Sequence, residues 1–372
     1  MSRYLLALTL GLGYLTICQR SLGADELFQT AVFESGKEGY HTFRIPSLLT
    51  THNGTLLAFC EGRTTGRGDH GDIDIVVKRS ADQGTTWSDV EIVYEEGSTK
   101  KVTIRNPCPV IDEVTGTIWL TFCRDNKNVL VTSSADDGKT WSNPIDISKD
   151  VTLAEWSWVA TGPGVGIQLT KGEKQGRLVI PCDHGIPMDG KRIMFSHVFY
   201  SDDMGKSWKL GGSLDRHTDE CQVVELTDGR LMLNMRNYWG SHGGRMDRDK
   251  MRAVATSEDG GDTWSELKFD KTLFEPICQA SFLRHVTPKS KQPGPLLFSN
   301  PASRAGRRNM TVRASWDEGK SWPKSKQLHA GPAAYSCLTV LPDGRIGCLY
   351  EAGKDNAYQT LTFARFSLDD IK

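Results

Sequence analysis

Arginines, acids and one tyrosine in this chain stand in contexts suited to chemistry. Arg44 lies in Phe43-Arg44-Ile45-Pro46, and Asp69 in a Gly-rich polar loop, Arg63-Thr-Thr-Gly-Arg67-Gly-Asp69-His70-Gly-Asp72. Glu220 follows Asp219 and precedes Arg236 by sixteen residues. Arg304, Arg307 and Arg308 crowd the stretch before Arg313, and Tyr335 sits in Gly331-Pro-Ala-Ala-Tyr335-Ser336. Guanidinium groups bind anions through charge-assisted, bidentate hydrogen bonds that lysine cannot copy. Carboxylic acids move protons. A phenol, with a pKa of about 10, attacks well only beside a base. Each residue also has a plainer reading: Arg44 as an exposed arginine before a proline-bounded strand, Tyr335 as strand packing. Asp219 and Glu220, adjacent on a strand, are expected to point to opposite faces.

The elements that must position these residues are announced by a repeat. Ser-x-Asp-x-Gly-x-Thr/Ser-Trp occurs five times, beginning at Ser80, Ser134, Ser201, Ser257 and Ser315, with spacings of 54, 67, 56 and 58 residues. Each copy reads as a hairpin turn. The Asp carboxylate folds back onto nearby N–H groups, the Gly takes a positive φ, the hydroxyl closes a local bond, and the Trp buries its ring against the next unit. Short runs rich in β-branched and aromatic residues flank the copies, such as Ile73-Asp-Ile75-Val76-Val77. These are strand signals, and no long 3.6-residue apolar stripe argues for helix. A unit of about 55–60 residues fits one four-stranded propeller blade. The copies resemble the Asp-box (BNR) repeats of sialidases. Five boxes in this length imply an all-β, six-bladed β-propeller with one blade lacking a readable box. The boxes identify architecture and not chemistry.

Residues 1–23 read as a secretory signal peptide: Arg3, an apolar stretch from Tyr4 to Cys18, then small residues to Gly23. The run is short for a membrane span, which needs about 20 residues, so no stable membrane insertion is expected. Export leaves periplasm, extracellular space and lysosome open. Residues 24–372 are expected to form one propeller domain. Removing the leader takes away Arg3 and Arg20, leaving 43 basic against 46 acidic residues, a net charge of −3. No basic stripe argues for nucleic acid. The eight cysteines outside the leader mostly sit in apolar runs and read chiefly as core packing, although export permits disulfides. No spacing suggests a metal site, and no cofactor is expected.

Phe43-Arg44-Ile45-Pro46 is similar to the FRIP motif near the start of sialidases. With the boxes that follow, the resemblance spans roughly residues 30–370 and identifies the chain as similar to the secreted exo-α-sialidase (neuraminidase) family of retaining glycoside hydrolases. The resemblance implies the following roles. Arg44, Arg236 and Arg307 hold the C1 carboxylate of sialic acid, with Arg304 and Arg308 as rivals for the third place; Arg313 faces away or pairs structurally. Tyr335 is the nucleophile, Glu220 its base with Asp219 as rival, and Asp69 the acid/base on a mobile loop, with Asp72 and Asp74 as competitors. Arg63 contacts the substrate near O4, and Glu351 orients Arg44. Ile45, with Trp156 and Trp158, lines an apolar slot for an N-acetyl methyl. His70, His184 and His242 have no assigned part.

The implied reaction is retaining hydrolysis of terminal α-linked sialic acid from sialylated glycoconjugates through a tyrosyl-linked sugar, without a metal. Tyrosine suits this because a carboxylate nucleophile would be repelled by the substrate's own carboxylate; such sialidases stand outside the paired-carboxylate rule. Three alternatives stay open: a non-catalytic Asp-box binding module, a trans-sialidase using the Tyr238-Trp239 loop as an acceptor platform, and a glycosidase for another nonulosonic acid. Linkage preference and oligomeric state are not legible.

Overall fold

The computed structural model describes residues 27–97, 101–287 and 292–372. The expected signal segment lies outside the described residues. Among the described residues no helix is long and apolar enough to cross a membrane, and helical structure is limited to Ser148–Val151 and the short turns Met246–Arg248 and Leu368–Asp370. The chain is all-β, with a propeller-like arrangement of antiparallel sheets.

Five hydrogen-bonded sheets are present among the described residues. The first holds Thr42–Thr50, Leu56–Arg63, Ile73–Ser80 and Glu91–Tyr94. The second holds Ile104–Ile111, Ile118–Arg124, Asn128–Ser134 and Ile145–Asp146. The third is built from Trp158–Thr161, Leu178–Met188, Lys191–Ser201 and Lys209–Arg216, with Ile167–Gln168 added to its second strand. The fourth holds Thr218–Glu225, Leu231–Asn237, Met251–Ser257 and Lys268–Phe274. The fifth has seven strands, in the order Phe28–Glu34, Thr360–Phe366, Ile346–Ala352, Lys324–Val340, Arg308–Ser315, Pro293–Pro301 and Ser281–Val286.

The repeats led to an expectation of six separate blades, and the hydrogen bonding differs from it because of one strand. Lys324–Val340 runs for 17 residues. It pairs with Arg308–Ser315 as far as Pro332 and with Ile346–Ala352 from Ala333 onward, stitching two sets of strands into one sheet. That sheet also joins the two ends of the described chain, since Phe28–Glu34 pairs with Thr360–Phe366. The apolar core lies between neighbouring sheets. Leu57, Phe59 and Ile75 of the first sheet pack with Ile104, Leu120 and Phe122 of the second, and Phe33 and Phe43 pack with Leu349 and Phe363. All eight cysteines of the described chain are free and buried in these layers.

The five turns share one hydrogen-bond pattern. In each, the Ser hydroxyl donates to the Asp carboxylate and accepts from the Gly N–H, and the following Thr or Ser donates to the same carboxylate through backbone N–H and hydroxyl. The direction of packing differs from the expectation. Trp87, Trp141 and Trp208 meet Phe363, Phe59 and Trp119, which belong to the preceding sheet and not the next. The right-handed twist of each sheet carries the turn before its fourth strand over the neighbour already traversed.

The box glycines are therefore constrained twice. Gly84 has φ 83°, and a Cβ there would lie 2.1 Å from the Phe363 ring. Gly190 has φ 73° with nothing within 4 Å. Gly84→Ala is expected to cost about 2–4 kcal/mol, combining left-handed strain with overpacking, and Gly190→Ala about 1 kcal/mol from strain alone. Urea denaturation of both variants checks this. Equal costs would show that the turn's conformation, and not its fit against the preceding sheet, sets the need for glycine.

Candidate active site

The strands nearest one another around the centre carry a shared irregularity. In four places three chain steps on one strand face two on its partner: Arg44 to Ser47, Arg105 to Cys108, Thr218 to Cys221, and Ala333 to Ser336. Such bulges re-aim side chains and break alternation. Two contain a left-handed residue, Ile45 at φ 62° and Asn106 at φ 60°. The result is that Arg44, Arg105, Asp219, Glu220 and Tyr335 gather at one end of the central space. Asp219 and Glu220 both line it. The expectation that adjacent residues face opposite ways fails here because of the bulge between Thr218 and Cys221.

Buried carboxylates from the second strands hold this arrangement. Glu351 accepts from Arg44 Nε at 3.0 Å, from the Ile45 N–H at 3.0 Å and from the Tyr335 N–H at 3.1 Å. Glu61 does the same one sheet on, accepting from Arg105 Nε at 3.3 Å and the Asn106 N–H at 3.1 Å. Its other oxygen takes Arg63 Nε at 3.0 Å. Asp69 closes the network: its Oδ1 lies 3.0 Å from Arg63, 3.1 Å from Arg105 and 3.6 Å from Arg44. Burial pushes the Asp69 carboxyl up, but Arg105, Arg63 and Arg44 outweigh it and hold the group below its ordinary range.

Two of these arginines also hold the loop that carries Asp69. Arg63 is 1% exposed, and its nitrogens serve Glu61, Asp69 and the carbonyls of Arg67 and Gly68. These bonds tie it to the loop that carries Asp69. Arg105 adds a bond to the Asp69 carbonyl at 2.9 Å, so arginines hold the successive carbonyls of Arg67, Gly68 and Asp69. The competitors of Asp69 are engaged elsewhere: Asp74 accepts from the Tyr40 hydroxyl at 2.8 Å and Asp72 from Thr64.

Tyr335 is 6% exposed. Its hydroxyl donates to Glu220 Oε1 in a short hydrogen bond. Arg236 Nη1 bridges the pair, 2.6 Å from Glu220 Oε2 and 3.2 Å from the Tyr335 oxygen. Arg44 and Arg307 flank the ring with guanidinium carbons 5.2 and 5.4 Å from its centroid. Burial and the neighbouring Glu220 raise the phenol's pKa well above its ordinary value, although Arg236 and Arg307 oppose them, so the group is a neutral proton donor at rest. Arg307 donates to the Tyr358 hydroxyl and the Ile277 carbonyl, and has no carboxylate partner among the described residues. Arg304 and Arg313 lie instead over Phe274.

Beside Tyr335 opens a cavity of about 310 Å³ whose walls include Asp69, Arg105, Trp158, Asp183, Glu220 and Tyr238. Ile45 is not on that wall. It is 1% exposed and packs beneath the site with Cys278, Ala334 and Tyr335. Trp156 is also withdrawn, stacked on His184 at 3.8 Å. Trp158 does face the cavity, as does His242, which stacks on Tyr238 at 4.8 Å. Trp239 is packed against His217 and Arg248, not displayed as a platform. Arg105, Glu61, Asp183 and Tyr358 were missed in the sequence. A signal for Arg105 was present: Arg105-Asn106-Pro107 repeats the Arg-x-Pro form of Arg44-Ile45-Pro46.

Behind the cavity, His184 and His197 share a buried Nδ1···Nδ1 contact of 3.1 Å. Burial lowers His184 to about 4. Unfolded histidine titrates at about 6.5, so between these values the unfolded chain binds more protons and stability rises with pH. The contribution of His184 is complete above about pH 6.5 and is lost as the pH falls toward about 4. Urea midpoints are expected to drop less steeply over this range in His184→Gln than in wild type. Parallel slopes would exclude the pair as an acid-labile element.

The BNR repeat-like domain family matches residues 54–348. The chain is 34% identical over 353 residues to a sialidase of Micromonospora viridifaciens, covering 89% of this chain and 53% of that protein. It thus spans about half the length of that relative. It is 33% identical to an exo-alpha-sialidase of Aspergillus fumigatus, covering 90% of this chain and 86% of the relative. Among solved structures, the Hadza microbial sialidase Hz136 superposes with a TM-score of 0.80 at 31% identity, over 92% of this chain and 69% of that one. With the box turns, the bulged central strands and these likenesses, the chain belongs to the sialidase family of BNR-repeat proteins.

Proposed function

We propose that this chain is an exo-α-sialidase that removes terminal α-linked sialic acid from glycoconjugates with retention of configuration. One observation carries the reading: the Tyr335 hydroxyl is bonded to Glu220 while Arg44, Arg236 and Arg307 surround the same residue. Arg44 and Arg236 already have carboxylate partners, whereas Arg307 has none among the described residues. An anionic substrate supplies the missing charge, as strong guanidinium–carboxylate pairing favours. As Tyr335 attacks C2, its proton passes to Glu220, and Arg236 faces the developing phenolate charge. Asp69 protonates the leaving oxygen. Water activated by Asp69 then breaks the tyrosyl–sugar bond and restores the phenol.

Asp69 must carry a proton to act first as an acid, yet three arginines favour its anion. A bound substrate carboxylate resolves this, because it competes for Arg44 and lifts the Asp69 pKa in the complex. The alkaline limb of kcat is then expected at higher pH than that of kcat/KM. Arg105→Gln, which removes an attraction on the free enzyme's Asp69 anion, is expected to move the kcat/KM limb upward. A limb that stays put would remove Asp69 from the proton-donor role.

The direct test compares an aryl α-sialoside with 3′-sialyllactose. Tyr335→Phe is expected to lower kcat at least about a hundredfold on both. Asp69→Ala is expected to hurt the lactoside more, since an aryl alcohol leaves with less protonation. Failure of the folded wild type to hydrolyse either substrate would sink the reading. On architecture, we read the seven-stranded sheet as two blades sharing Lys324–Val340, giving six in all. We also read residues 1–23 as an export signal. The mature enzyme is then expected to begin at Ala24 and to lie outside the cytoplasm, which N-terminal sequencing of the exported protein checks.

A further inference from the structure

The cavity wall holds a carboxylic acid that the reaction does not use. Asp183 lies mid-strand in Leu178–Met188, opposite Ala160 and Ser196, and is 1% exposed. Its Oδ2 accepts from the Trp158 indole N–H at 3.0 Å. Its Oδ1 is buried, on a residue lining the cavity, and has no hydrogen-bond partner. A buried polar atom left unpaired is costly and rare in a native structure. It is tolerated where a ligand completes it.

The third sheet supplies Asp183, Trp158, Arg192 and Met194 to the cavity, whereas Arg44 and Arg236 come from the first and fourth sheets and Arg307 from the turn leading into Arg308–Ser315 of the seven-stranded sheet. A sugar whose carboxylate is held by those arginines therefore presents its other substituents to the third sheet. We propose that Asp183 is a substrate-binding and specificity-determining residue, whose Oδ1 donates a hydrogen bond to an acceptor oxygen on the N-acyl group or the glycerol side chain of the sugar. This rests on the sialidase reading and deepens it.

The charged surroundings favour a donor. From Thr218–Glu225 come Asp219 and Glu220, and from Leu231–Asn237 comes Arg236; the thiols of Cys123, Cys182 and Cys221 are also near, and Trp158–Thr161 offers only the neutral indole. Burial, then Asp219 and Glu220, push the Asp183 carboxyl well above its usual range despite Arg236. With Oδ2 taken by the indole N–H, the proton belongs on Oδ1.

The experiment measures KM and kcat for wild type, Asp183→Ala and Asp183→Asn on three aryl α-sialosides: the N-acetyl parent, one with a C5 hydroxyl in place of the N-acyl group, and one with the glycerol chain cut at C7. Asp183→Ala is expected to raise KM about tenfold on the parent, the loss typical of one good hydrogen bond, with kcat changed far less. That penalty is expected to vanish on whichever analogue lacks the acceptor, identifying it. Asp183→Asn keeps both an acceptor for Trp158 and an N–H donor, and is expected to restore KM to within about threefold of wild type. Wild-type KM for the parent is expected to climb on the alkaline side as the proton is lost, and Asp183→Asn to lack that climb; this arm stands even if the alanine variant does not fold. An equal penalty on all three substrates, or identical alkaline profiles in wild type and Asp183→Asn, overturns the proposal while leaving hydrolysis intact. A wild type that hydrolyses none of them overturns the sialidase reading as well.

Discussion

Packing many guanidinium groups around one small space is the constraint on which the rest of this structure depends. Arg44, Arg63, Arg105, Arg236 and Arg307 meet within a few side-chain lengths, and like charges in a partly dry site repel unless paired. Four are matched by acids from strands and from the loop after Arg63: Glu351, Glu61, Asp69 and Glu220. The fifth, Arg307, rests on neutral partners. Under the proposed reading, an incoming anion would meet a frame that is already balanced except at Arg307. Preorganised charge of this kind needs little rearrangement when the reaction begins.

The same acids do a second task in the backbone. Glu351 and Glu61 each accept from an arginine and from the N–H of a left-handed residue in a bulge, Ile45 and Asn106. A β-branched residue at positive φ is strained. Ile45 is held there because Glu351 satisfies its N–H and its side chain fills the space under Tyr335. Each clamp also crosses between strands that are distant in sequence, Glu351 to Arg44 and Glu61 to Arg105. Charge pairing, bulge geometry and the placing of the reactive residues are thus one set of contacts.

Much of the architecture was legible because the Asp boxes are local. Ser, Asp, Gly and Thr or Ser close their hydrogen bonds within a few residues, so the pattern in the sequence is the pattern in space. What the Trp rings touch was not legible, since it depends on sheet twist. Nor was the joining of strands through Lys324–Val340, where Gly331-Pro332 reads as a break although the strand continues through it and changes partner there. The residues around Tyr335 were found through family resemblance, and their types agree with the contacts they make. Residue-by-residue alternation failed at Asp219 and Glu220 because a bulge has no signature in that stretch. Asp183, Glu61 and Tyr358 gave no signal at all: each sits in an ordinary strand or loop, and only the closing of the sheets around the centre brings it to the site.

The pairing of Phe28–Glu34 with Thr360–Phe366 has a consequence for the making of the protein. Phe28–Glu34 is made before every other strand of the described chain and Thr360–Phe366 after them, so the two cannot meet until all the strands between them have been made. Until then the arc of sheets has open edges, and unpaired strand edges invite pairing with other chains. Contacts between residues so far apart in sequence also form slowly. Glu351, which positions both Arg44 and Tyr335, lies in the strand next to this late-closing pair. A nascent chain therefore carries its arginines and acids long before they are arranged, and the site comes into being together with the ring.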